Sequence, residues 1–313
     1  MAGKPIFVLG SFVVACSAKV ARFPRPGESL AAETVTIEPG GKGLNQAIMA
    51  RRLGAAVDGL LAVGDDLAAA FAPPALERAE LPLSMLVRLA GHTGSGIGFT
   101  DATGETCLAV ASGANLALTA AHVKERGQAI TEAALVTAQF EIGDAPIAAA
   151  FQLARQAGVP TLLNPSPYRA IPEAMLAQTS ILIVNETEAR GLAVALGLDR
   201  DGATEPQRFA RELGPALLER GPRLVVLTRG AAGAFAVAAD APPAVQAGFP
   251  VETVDSLGAG DAFAMTLGVR LAMGLPLPVA LRDAAAAGAL TTTRHGVFDA
   301  LPTAGAIAAI SRS

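Results

Sequence analysis

Two hydrophobic periodicities divide the chain. Residues 6–9 form a short continuous apolar run that stops at Gly10, the pattern of a strand buried on both faces. From 11 to 20 the pattern becomes alternation: Phe12, Val14, Cys16, Ala18 and Val20 point one way, and Ser11, Val13, Ala15, Ser17 and Lys19 the other. A turn with two prolines, Phe23-Pro24-Arg25-Pro26-Gly27-Glu28, leads to a second alternating stretch at 34–37. Two half-buried strands so early predict a small sheet standing off the main body. Alternation returns between 93 and 110, on either side of the hairpin signal Asp101-Ala102-Thr103-Gly104, which supplies a second β-rich insert to pair with the first.

Elsewhere the rhythm is strand and helix by turns. A strand at 57–63 is closed by Gly64-Asp65-Asp66, and Pro73-Pro74 must break or kink the helix that follows. Strands at 135–138, 161–163, 181–184, 224–227 and 234–238 alternate with helices at 146–157, 186–196, 207–219, 261–273 and 278–292. This predicts the α/β class: a doubly wound, mainly parallel sheet with helices on both faces. In such folds ligands bind beyond the carboxyl ends of the strands. Gln139, Glu141, Asn164, Asn185, Glu188, Thr228 and Gly230 gather at those ends. Singly each reads as a cap or turn residue; their shared position reads as a site.

Composition narrows the classes. With 313 residues the chain can bury one large core plus an elaboration. The hydrophobic fraction of 51% is rich in alanine, and no run reaches the eighteen or so apolar residues of a spanning helix, so a soluble cytoplasmic protein without a membrane partner is expected. A formal net charge of −4 with no Lys/Arg cluster excludes nucleic acid as the main partner. Cys16 and Cys107 lie far apart, and the three histidines fall at no ligand spacing, so no zinc site is expected.

Two glycine-rich stretches carry the candidate chemistry. In Val254-Asp255-Ser256-Leu257-Gly258-Ala259-Gly260-Asp261, small residues meet a helix start, where uncovered main-chain N–H groups and the helix dipole favour an anion. Asp261 is a carboxylate in that place, either functional or a plain cap. Upstream, Pro39-Gly40-Gly41-Lys42-Gly43-Leu44-Asn45-Gln46 opens another helix with Lys42 and Asn45 near its start. It is a tight turn or a second ligand loop, but neither a Walker A loop nor a dinucleotide fingerprint.

Together with Arg25-Pro26-Gly27-Glu28, Gly64-Asp65-Asp66, Gly113-Ala114-Asn115, Gln139-Phe140-Glu141, Asn185-Glu186-Thr187-Glu188 and Thr228-Arg229-Gly230 with Gly233, these stretches resemble the ribokinase-like (PfkB) carbohydrate kinases, in family order over nearly the whole chain. The resemblance implies a core of residues 1–11, 39–90 and 112–313 and a β lid of 12–38 and 91–111. It implies ATP, Mg2+ and K+ as cofactors, a small sugar or nucleoside as substrate, and a homodimer formed through the lid. Asp261 would be the base, with Gly258, Ala259 and Gly260 as the anion hole. Gly40, Gly41, Lys42, Asn45 and Glu141 match sugar-binding positions, and Asn185, Thr228, Gly230 and Gly233, with Gly260, nucleotide-binding ones. Glu188 would bear on magnesium; Asp255 and main chain at Leu257, Thr291, Arg294 and Gly296 would hold potassium. A nucleoside kinase of the same family and a catalytically weak sugar-binding protein are the alternatives, and the retained Asp261 speaks against the second.

Three positions depart from the family pattern. Ala15 stands where the family places an aspartate that grips substrate hydroxyls, Val13 where ribokinase-like chains carry asparagine, and Ala285 where a polar residue often lies near the adenine. Each charge-assisted hydrogen bond is worth roughly 1.5–3 kcal/mol. Weak pentose binding and a different polyol-like or nucleoside substrate are therefore expected, with Ser17 able to restore one weaker bond; the alternative is that another lid residue or a water replaces the acid and ribose is still preferred.

Overall fold

The structure, a computed structural model, describes residues 3–102 and 105–312; Thr103 and Gly104 of the expected hairpin turn lie outside the described residues. Thirteen strands are described: β1 (Ile6–Ser11), β2 (Val13–Val20), β3 (Ala32–Gly40), β4 (Val57–Val63), β5 (Leu86–Arg88), β6 (Gly94–Thr100), β7 (Thr106–Ala111), β8 (Leu135–Gln139), β9 (Thr161–Asn164), β10 (Ile181–Asn185), β11 (Leu224–Thr228), β12 (Ala234–Ala238) and β13 (Ala241–Gln246). Nine of them form one sheet in the order β13-β12-β11-β10-β9-β8-β1-β4-β5. From β5 to β11 every pairing is parallel, and the two edge pairings, β11 with β12 and β12 with β13, are antiparallel. The fold is the expected α/β one.

The apolar run of β1 explains its central place. Phe7 and Leu9 enter one core layer with Phe151 and Val136, while Ile6 and Val8 enter the other with Leu44, Ile48, Phe263 and Leu267. Strand order reverses between β1 and β8, since the chain builds outward from β1 through β4 to β5 and from β8 through β9 to β11. That reversal leaves a crevice beyond the carboxyl ends of β1 and β8.

Prolines shape several of these elements. The stretch around Pro73-Pro74 divides into a 3-10 turn, Leu67–Phe71, and a helix, Ala72–Arg78, that takes a proline within its first two positions. The helix expected over 207–219 is two helices, Pro206–Arg211 and Leu213–Leu218. Glu212 breaks them (φ −120°, ψ −76°), because Pro215 has no N–H for the carbonyl four residues back and its ring crowds that position. β13 was not expected; its Pro242 and Pro243 are tolerated at a sheet edge, where an N–H is dispensable.

The early alternating stretches form a separate four-stranded sheet in the order β3-β2-β6-β7. β2 and β3 pair antiparallel, as do β6 and β7, and β2 and β6 join the two hairpins in parallel. The alternation expected to run from Ser11 is interrupted at Phe12, which belongs to neither flanking strand. There the buried side chain of Asn115 supplies what a strand neighbour would: Oδ1 accepts from Phe12 N at 3.0 Å and Nδ2 donates to Phe12 O at 2.8 Å. The second crossing, at Thr93, is held by Asp66, which accepts from Thr93 N at 3.0 Å and Thr93 Oγ1 at 2.6 Å. The hydroxyl bond, ahead of the main-chain ones, holds the Asp66 carboxyl below its ordinary range.

Candidate active site

β1, the turn after β8 and the starts of two helices meet in the crevice. Gly10, at the end of β1, and Gly43, in the first turn of the helix Lys42–Arg52, touch backbone to backbone. A Cβ on Gly43 would lie 2.4 Å from Ser11 N, and one on Gly10 would lie 2.6 Å from Gly43 Cα. Gly41, with φ +98°, turns the chain into this helix. The close approach sets Lys42 N 2.9 Å from Glu141 Oε2, and the same carboxylate oxygen accepts from Ser11 Oγ.

Asp261 lies at the third position of the helix Ala259–Ala272, which follows Gly258 (φ +77°), and it is 2% exposed. Asn45 Nδ2 donates to its Oδ2 at 2.8 Å, and Lys42 Nζ lies 3.6 Å from its Oδ1. Oδ1 itself is buried and has no hydrogen-bond donor among the described residues. Beside it, a Cβ at Gly260 would meet no atom within 4 Å, so the helix start is open on the Gly260 side, whereas at Gly258 a Cβ would run into Val297 at 2.6 Å. A buried carboxylate oxygen lacking a donor, below a helix N-terminus open on that side, is fitted to receive a hydroxyl while an anion sits above it. Desolvation pushes the Lys42 ammonium down, but Asp261, Glu141 and Glu188 together outweigh it, and its pKa is raised. The lysine stays charged over the whole physiological range.

The β10 and β11 ends supply a second group. Asn185 and Thr228 are directly paired in register. Asn185 caps the helix Glu186–Ala195 in a reciprocal box: Glu188 N donates to Asn185 Oδ1 at 2.9 Å, and Glu188 accepts from Asn185 N at 2.9 Å and Asn185 Nδ2 at 3.0 Å. Thr228 Oγ1 donates to Val184 O at 3.3 Å, and Gly230 (φ +51°) has open space where a side chain would be. Gly233 has a packing reason of its own, since a Cβ there would come within 2.0 Å of Gln246 O.

Glu188 is 1% exposed, and burial raises its pKa above the ordinary 4.5. The folded form therefore holds this proton more tightly than the unfolded chain. The stability it contributes is complete below about pH 4.5 and is lost as pH rises through the raised value. Glu188→Gln is expected to melt at a temperature that gains on wild type as pH is raised from 4 to 8. Parallel melting curves for the two proteins across that range would contradict the assignment of the cost to this carboxylate.

The loop before Gly258 is tied to the segment after the helix Leu277–Thr291. Asp255 Oδ1 accepts from Leu257 N at 3.0 Å and Oδ2 from Gly296 N at 3.2 Å, while Val254 N donates to Thr292 O at 2.7 Å. The Thr291 hydroxyl is committed to Ala287 O at 2.8 Å, so only its main chain is available to a ligand. Arg294 is near enough to add to the lowering of the Arg52 guanidinium, which burial begins. No group of three or more acidic, histidine or cysteine side chains is placed to hold a metal among the described residues. Ser11 was missed as a site residue; its place directly after the first-strand glycine, at the strand-order reversal, was the available signal.

Residues 4–304 match the pfkB family of carbohydrate kinases. The chain is 33% identical over 262 residues to the bifunctional ribokinase/ribose-5-phosphate isomerase A of Fructilactobacillus sanfranciscensis, covering 82% of this chain but 46% of that one. It thus spans about half the length of that relative. It is 29% identical over 307 residues to the ribokinase of Haemophilus influenzae, covering 96% of both chains. Among solved structures, Arabidopsis thaliana ribokinase complexed with ribose and ATP superposes with a TM-score of 0.89 at 24% identity over 99% of both chains, a likeness of fold.

Proposed function

The chain belongs to the pfkB family of carbohydrate kinases, and from that premise we propose that it transfers the terminal phosphoryl group of ATP to a hydroxyl of a small sugar or related polyol. The observation that carries this reading is the buried Asp261 oxygen without a donor, held between Asn45 and Lys42 under the helix start that is open at Gly260. In this reading the acceptor hydroxyl hydrogen-bonds Asp261 Oδ1, which takes its proton late, because a loose phosphoryl-transfer transition state asks mainly for positioning and charge stabilisation. Main-chain N–H groups at Gly258, Ala259 and Gly260 face the negative charge that builds on the transferring group, and Lys42 adds a fixed positive charge. Glu141, with Gly40, Gly41 and Asn45, orients the sugar. Asn185, Thr228 and Gly230 border the nucleotide. The small sheet acts as a lid that excludes water, which would otherwise compete with the alcohol.

Magnesium fits as a water-held ion near Glu188, both of whose oxygens already accept bonds from Asn185; when bound it would neutralise phosphate charge. Potassium fits the Asp255 loop, whose carboxylate is held by the N–H groups of Leu257 and Gly296; main-chain oxygens at Leu257, Thr291, Arg294 and Gly296 would complete a hard oxygen set. Its charge would steady the anion hole. Activity with Mg-ATP is expected to rise when potassium replaces a large organic cation at equal ionic strength, and Asp255→Ala to abolish that rise. Potassium-independent wild-type rates would remove the ion from this account.

On one face of the lid Val35, Ile37 and Ile97 are 59, 54 and 60% exposed, and their strand partners there are Ala18, Cys16 and Ala109. We assign this apolar face to a second copy of the chain. Ile97→Glu should convert a dimer to a monomer in sedimentation velocity, and a monomeric wild type would sink the assignment.

The reading as a whole is tested by ADP release from purified protein with Mg-ATP and a panel of sugars, polyols and nucleosides. Phosphorylation of a sugar or polyol is expected. ATP turnover that no alcohol stimulates would overturn it, and exclusive use of nucleosides would reassign the substrate.

A further inference from the structure

One row of directly paired residues crosses the small sheet: Glu38 on β3, Ala15 on β2, Gly96 on β6 and Val110 on β7. Directly paired residues share a face of a sheet, so Glu38 and Ala15 lie side by side, while Ile37, Cys16, Ile97 and Ala109 form the corresponding row on the reverse. Glu38 shows which face looks at the core. Its Oε2 would lie 2.9 Å from a Cβ on Gly296, and Gly296 N donates to Asp255 at 3.2 Å in the loop that leads to Asp261. Two residues further along β3, on the same side, Gly40 pairs with Val13 and opens the turn that delivers Lys42. Glu38 therefore stands at the mouth of the crevice. Its carboxylate is exposed, with no hydrogen bond or ion pair among the described residues. Ala15 and Gly96 beside it carry no polar side chain.

We propose that Glu38 supplies the carboxylate that grips the substrate's non-reacting hydroxyls, standing in for the missing acid at Ala15 from the neighbouring strand. The proposal rests on the kinase reading for its substrate. Adjacent strands are about 5 Å apart, so the acceptor moves sideways by that distance, and the extra methylene of glutamate returns part of it. The Ala15–Gly96 stretch is left open for a substituent of the sugar.

D-Ribose serves as the probe, with two readouts: direct binding by calorimetry and ADP formation at saturating Mg-ATP. Glu38→Ala is expected to weaken ribose binding and raise its KM by about 10–100-fold, with kcat changed less than about 3-fold and KM for ATP unmoved. Adding Ala15→Asp to Glu38→Ala should recover most of the loss, which a merely structural role would not predict. Ribose binding in Glu38→Ala within about 2-fold of wild type overturns the proposal, as does a wild type that does not bind ribose. Ribose binding that depends on Glu38 without ADP formation from any alcohol sustains the proposal and overturns only the kinase reading.

Discussion

Asp261→Asn is expected to lower kcat by about 10²–10⁴-fold while leaving the fold and nucleotide binding in place. The amide keeps the shape of the carboxylate, and its oxygen can still accept from Asn45 Nδ2, which holds Asp261 Oδ2 at 2.8 Å. What it cannot do is take a proton from the acceptor hydroxyl. It also removes the negative partner 3.6 Å from Lys42 Nζ, leaving that ammonium to Glu141 and Glu188. A single-turnover measurement separates the two effects, because a slow chemical step with unchanged ATP affinity identifies the base. Turnover like wild type would end the assignment.

Gly43→Ala is expected to damage both stability and activity. Its Cβ would fall 2.4 Å from Ser11 N, 2.6 Å from Gly10 C and 2.7 Å from Ser11 O, all main-chain atoms of the central strand. No side-chain rotation relieves that contact, so either the strand end or the helix Lys42–Arg52 must shift. Overpacking of this kind costs about 3 kcal/mol or more, a fall of about 5–10 °C in Tm for a chain of this size. Activity should fall further than stability, because the same helix start carries Lys42 and Asn45 to Asp261. A variant with unchanged Tm and kcat would show that the backbone contact is looser than described.

Much of the fold is legible in the sequence, for physical reasons that differ by element. Strand β1 announces itself because burial on both faces demands four apolar residues in a row, and Phe7, Leu9, Ile6 and Val8 do divide between two core layers. The helix start at Gly258 announces itself because only small residues leave its N–H groups uncovered. The interruption at Glu212 was hidden because Pro215 acts on the turn before it, within an otherwise helical pattern. The role of Ser11 was hidden because a hydroxyl after a strand is unremarkable until Glu141 is brought to it from 130 residues away. Likewise Ala15 read as a loss, since sequence shows what a strand carries but not what lies opposite. Only the pairing of β2 with β3 sets Glu38 next to it.

Asn115 gives both polar main-chain groups of Phe12 a partner, with Gly94 packed so closely that a Cβ there would lie 2.3 Å from Asn115 Nδ2. The small sheet is thus joined to the nine-stranded one by side-chain bolts, at Asn115 and at Asp66, and not by a shared ladder. These few bonds, with Gly64 N donating to Thr93 Oγ1 and Phe12 and Val14 packed into the core, hold what a ladder would spread over many. The plate they secure is expected to come free as a unit, with β2, β3, β6 and β7 still paired to one another, before the central sheet yields. Amide hydrogens from Val14 to Val20 are then expected to exchange through an opening of lower free energy than those of Phe7 to Leu9, the mark of detachment along a seam as opposed to unzipping from an edge.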